Sequence, residues 1–106
     1  MKELYSIHVE CRGPRPEARA ISIVAWDPST EVHLAGDFEN PTDESWTRLS
    51  VVRVDNPERR VDIEPVSREP LVLRVSSNEK KCTDSVAFYI AMESHGRYSS
   101  AAEPDR

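Results

Sequence analysis

Apolar and polar residues alternate along much of this chain, and the alternation predicts strands. Leu4 to Cys11 puts Tyr5, Ile7, Val9 and Cys11 on one face and Ser6, His8 and Glu10 on the other, as in a half-buried strand. Pro14 and Pro16 end that run, because neither can donate to a ladder. Ala18 to Trp26 sets Ile21, Ile23 and Ala25 against Val24 and Trp26, which reads as a strand covered on both sides. Asp27-Pro28-Ser29-Thr30 reads as a tight turn. Glu31 to Ala35 is a short strand with Val32 and Leu34 inward, broken by Gly36. Trp46 to Asp55 is a longer run whose apolar parity switches between Val51 and Val52, as a β-bulge there would require. Asn56-Pro57-Glu58-Arg59 predicts a hairpin turn. Arg60 to Glu64 then offers Val61 and Ile63, with Pro65 ending the strand or marking it as an edge. Leu71 to Ser76 alternates again.

The run from Asp84 to Met92 supports two readings. Val86, Phe88, Ile90 and Met92 share one strand face, and their β-branched and aromatic character favours a strand. The alternative is a helix over 84–95, with Thr83 or Asp84 as N-cap and Gly96 as C-cap. About seven short antiparallel strands joined by Pro- and Asn-rich turns predict an all-β sandwich over residues 1–95. The helical alternative makes the fold α+β. Residues 96–106 read as a flexible tail.

Composition adds where the charge lies. The chain has 106 residues, enough for one domain. It carries 14 basic and 19 acidic residues, net -5. Six of the acids fall between Trp26 and Trp46: Asp27, Glu31, Asp37, Glu39, Asp43 and Glu44. No Lys or Arg lies between Arg19 and Arg48, so the excess acidity is local. Such a balance argues against nucleic acid or an anionic membrane as partner, since both need a basic face. No apolar run has the length of a signal peptide or a membrane span, which predicts a cytoplasmic location. Cys11 and Cys82 are read as free thiols. Cys82 is the more reactive of the two on this reading, because Lys80 and Lys81 would favour its thiolate.

Two short stretches resemble known families. Asp84, Val86, Phe88 and Ile90 at alternate positions, with Cys11 followed by Trp26, resemble immunoglobulin-like domains. Ile90 stands where their second Cys falls, and Phe88 lacks the hydroxyl of their tyrosine corner. The resemblance implies a sandwich and no activity. Val32-His-Leu-Ala-Gly-Asp-Phe-Glu-Asn, followed by Trp46, resembles the strand-turn of glycogen- and starch-binding modules, and implies a sugar site at Trp26, Trp46 and Asn40.

Catalytic arrangements are not legible. His8, His33 and His95 lie among polar neighbours, and no serine sits in a nucleophile elbow. Zinc needs closely paired Cys and His, and no cofactor-binding loop is present. Asp37, Glu39, Asn40, Asp43 and Glu44 are hard oxygen donors close in sequence, so calcium is an alternative. The leading expectation is a non-catalytic domain, of accessory, immunity or inhibitor type, that binds a basic protein surface. Asp37, Phe38, Glu39, Asp43 and Glu44 would form that face with Trp26 and Trp46, since aromatics anchor interfaces and a negative field steers a positive partner. The same aromatics also read as core, Trp46 most of all. An edge strand such as Arg60 to Glu64 offers a route to a homodimer.

Overall fold

Four of the predicted strands form in the computed structural model, three close to their expected bounds and one as only the middle five residues of the run from Trp46 to Asp55; the structure describes residues 4–100 and their side chains through residue 97. They are β1 (Tyr5–Cys11), β2 (Val32–Gly36), β3 (Leu49–Arg53) and β5 (Leu71–Ser77). β4 (Arg60–Arg68) runs through Pro65 instead of ending there, with a register shift between Pro65 and Ser67. It pairs with β3 on one side and β5 on the other, so Arg60 to Glu64 is not the edge expected to serve a homodimer. The expected bulge at Val51 and Val52 is absent. β3 keeps an unbroken register with β2 and β4, burying Leu49 and Val51 while Val54 is exposed. Asn56 to Arg59 makes the β3–β4 turn, closed by the Arg59 amide on the Asn56 carbonyl at 2.9 Å.

Two segments read as strands are helices, so the fold is α+β and not a sandwich. The first is α1 (Ala18–Ala25) and the second α2 (Lys80–Glu93). In α1 the buried residues are Ala18 and Ile21, with Val24 and Ala25 packed behind them. That spacing is helical, and it turns Ile23 outward. In α2 the buried positions are Cys82, Thr83, Val86, Ala87, Ile90 and Ala91. Small residues at 87 and 91 let the helix approach the sheet, while Phe88 and Met92 remain half-exposed. The alternative helix is therefore the one that forms, beginning a turn earlier than the predicted 84.

The sheet has six strands in the order β2-β3-β4-β5-β1-β6, and every neighbouring pair is antiparallel. Its last strand, β6 (Arg97–Ser100), pairs with β1 in a segment read as tail; residues 101–106 lie outside the described residues. α1 carries the chain from β1 to the far edge, β2. α2 carries it from β5 over β1 to β6. Both helices cover one face, where Ile7, Val9, Leu49, Val51, Val61, Ile63, Leu73 and Val75 form the core. The molecule is 19 Å thick along its shortest axis, as a sheet plus one helical layer requires.

Candidate functional site

The loop from 37 to 48 joins β2 to β3, and it is long for a hairpin connection. Trp46 explains its length. Its side chain is 0% exposed, and its indole N–H donates to the Pro16 carbonyl at 2.7 Å. Arg15 returns the contact, its Nε donating to the Trp46 carbonyl at 2.8 Å and its amide to the Glu44 carbonyl at 2.9 Å. The Arg19 amide bonds to the Pro41 carbonyl at 2.9 Å. The loop is thus fastened to the start of α1 at three points. Trp46, placed on the partner-facing surface from sequence, belongs to the core instead, because its ring fills the space beneath that junction.

Asp37 fastens the other end of the loop. Its carboxylate accepts from the Thr47 amide (2.9 Å), the Thr47 hydroxyl (2.6 Å) and the Arg48 amide (2.9 Å). Partial burial disfavours its charge, but these donors outweigh burial and hold the carboxyl below the ordinary range. Gly36 lets the strands approach here, since a Cβ at that position would stand 2.1 Å from the Arg48 carbonyl oxygen. Asp43 accepts from the Glu39 amide at 2.8 Å, and Asn40 accepts from Thr42. Asp27 closes its own turn through Ser29 and Thr30, whose hydroxyls keep its carboxyl low. Three of the six acids are therefore braces.

Glu31, Glu39 and Glu44 are exposed, and their carboxylates have no hydrogen-bond partner or cation among the described residues. The ion pairs fall on other acids. Arg12 meets Glu10, Arg19 meets Glu17, Arg53 meets Asp55, Arg59 meets Glu79, Arg60 meets Asp62, Arg74 meets Glu64 and Lys80 meets Asp84. None of the six acids between Trp26 and Trp46 takes part in these pairs.

The remaining aromatics contribute less surface than expected. Phe38 is partly buried against the core. Trp26 is also partly buried, with its indole N–H enclosed and unpaired, and the Arg53 guanidinium lies 5.7 Å from its ring centroid. A ring capped by a cation is a poor stacking platform for sugar. With Trp46 inside, the arrangement implied by the starch-binding resemblance does not assemble. Nor do the calcium donors converge: among the described residues no group of three or more His, Cys, Asp or Glu is placed to hold a metal ion.

Two other features bear on chemistry. The open face of the sheet forms a shallow depression of about 560 Å³ around Arg48, Arg60, Arg74, Asp62 and Glu64. Its charges are largely neutralised from within, Arg60 by Asp62 and Arg74 by Glu64. Cys82 is buried and donates to the Ala25 carbonyl at 3.2 Å, and burial with the nearby Glu79 pushes its thiol up to about 11. The lysines thought to activate it are both exposed on α2, and Lys80 pairs with Asp84. Cys82 is thus the opposite of a reactive thiol. No helix among the described residues is long and apolar enough to cross a membrane. No family model, curated protein or solved structure matches this chain.

Proposed function

We propose that this domain acts by binding a protein with a basic surface, through an acidic rim made of Glu39 and Glu44 in the β2–β3 loop and Glu31 at the opposite end of β2. One observation carries the reading. Seven of the chain's basic residues pair with acids elsewhere, while the carboxylates of Glu31, Glu39 and Glu44 are exposed and meet no cation among the described residues. A protein that spends its cations on other acids keeps a local negative field there, and such a field accelerates encounter with a positive partner. The braces at Asp37, Asp43 and Trp46 hold the rim in place, so little ordering entropy is lost on binding. Phe38 supplies a partly exposed apolar neighbour.

The test is an affinity pull-down with the full chain at low and high salt, beside the Glu31→Lys/Glu39→Lys/Glu44→Lys variant. Contacts between exposed charges weaken as salt shortens the Debye length. The expected partner is lost with the variant and with salt, while the variant keeps its melting temperature. A partner retained by the triple variant at all salt concentrations would refute the reading. Asp37 is left out of the variant because it supports the loop.

A further inference from the structure

We infer that the free edge of β2 accepts an extended basic peptide as an added strand. This rests on the reading of the acidic rim above and names how a partner engages it.

Two bonds at the ends of β2 fix which way its backbone faces. The Asp37 amide donates to the Arg48 carbonyl at 3.2 Å, and the Val54 amide donates to the Glu31 carbonyl at 3.0 Å. Residues 31 and 37 therefore face β3, and the register between them is continuous. In an antiparallel pair the direction alternates. Val32, Leu34 and Gly36 consequently turn their amides and carbonyls away from β3. β2 is the outermost strand on its side. No backbone group among the described residues pairs with those three outward residues. The strand is short, but Val-His-Leu-Ala-Gly contains no Pro or Lys of the kind that commonly blunts an edge.

Charge selects the occupant. Glu31 precedes the edge, and Asp37 and Glu39 follow it. A second copy pairing antiparallel about a two-fold axis would bring Glu31 of one chain toward Asp37 and Glu39 of the other, which is repulsive. A strand with Lys or Arg at both ends meets an acid at each end instead. Its alternate side chains fall beside the half-buried Val32 and Leu34 on the helix side, and beside His33 and Ala35 on the open side. The preferred ligand is therefore a short extended segment with basic ends and alternating apolar residues between them.

The probe is a fluorescent Lys-Val-Ser-Val-Ser-Val-Lys peptide, titrated with the full chain and read by anisotropy. Three controls go beside it: the same peptide N-methylated at its central residues, a Glu-ended copy, and the protein variant Glu31→Lys/Glu39→Lys. The N-methylated peptide keeps the charges and side chains but cannot form a ladder. It is expected to bind about tenfold more weakly or worse, the equivalent of one or two lost hydrogen bonds. The Glu-ended copy is expected to fail with the native chain and to be preferred by the variant. Equal binding of the N-methylated peptide would overturn strand addition while leaving the acidic rim in place. Indifference of every peptide to the charge-reversed variant would overturn the rim as well. Self-association of the chain in sedimentation, with no peptide bound, would give the edge to a second copy and overturn the inference.

Discussion

The open face of the sheet and the rim beside β2 both carry carboxylates, yet those of the open face are largely neutralised and those of the rim are not. On the open face, Arg60 lies 2.8 Å from Asp62, Arg74 meets Glu64, and Ser50 donates to Asp62 at 2.8 Å. Strand geometry makes this possible: Arg60 and Asp62 lie two apart on one face of β4, Ser50 stands opposite Asp62, and Glu64 stands opposite Arg74. On the rim no such register operates. Its acids sit in a loop and at a strand end; Arg19 pairs with Glu17, and Arg15 and Arg53 serve the Trp46 carbonyl and Asp55. Net charge alone does not distinguish these two regions. Placement does, because a carboxylate facing an arginine across a ladder projects little field, and one facing water projects all of it.

The contrast can be broken first at its support. Trp46→Ala removes a fully buried ring and its hydrogen bond to Pro16, and should cost about 3–5 kcal/mol in urea denaturation. A loss below about 1 kcal/mol would mean the ring is not a core pillar. Asp37→Ala removes the acceptor for Thr47 and Arg48 and should cost roughly 1–2 kcal/mol at neutral pH. This loss depends on pH in a definite direction. Because the folded carboxyl titrates below its unfolded value of about 3.9, its contribution is present above that pH and disappears as pH falls through the folded value. The gap between wild type and Asp37→Ala should therefore close on acidification below about pH 4. A gap of constant size across that range would remove the charged brace from the account.

Smaller effects separate the two surfaces themselves. Asp62→Ala on the open face breaks a half-exposed pair with Arg60 and should cost roughly 0–1 kcal/mol. Its larger signature is electrostatic, since it uncovers Arg60 and should raise affinity for an anionic chromatography matrix. Glu39→Lys/Glu44→Lys on the rim has no paired cation to strand and should change stability by less than about 0.5 kcal/mol. A larger drop there, measured by thermal denaturation, would show that these acids help hold the loop.

Much of the sheet was legible because its strands bury one face only. Ile7 and Val9, and Leu73 and Val75, show the period of two plainly, whereas Leu49 and Val51 compete with Val52 and Val54 on the other parity, which is why a bulge was expected there. The helices were harder. α1 is built from Ile21, Ile23 and Val24, whose β-branched side chains favour strands. Packing against the sheet and the bonds at its start overrule that local preference. In α2 the alternation of Val86, Phe88, Ile90 and Met92 imitates a strand, and the helical clue was the pair Ala87 and Ala91, small where the helix meets the sheet. The acidity of the rim was visible from composition. Its division into braces and free carboxylates was not, because the partners of Asp37 are ten and eleven residues away. The sequence favoured Trp46 over Trp26 for burial, and the α1 junction buries Trp46 completely while Trp26 stays partly exposed.

The anchoring of Trp46 bears on how this surface could change over generations. The ring and the main-chain bonds to Pro16, Arg15 and Arg19 do not involve the side chains of Glu39, Pro41 or Glu44. Those outer positions can be exchanged without disturbing what holds them, so descendants of this chain are free to retarget the rim while inheriting an unchanged scaffold.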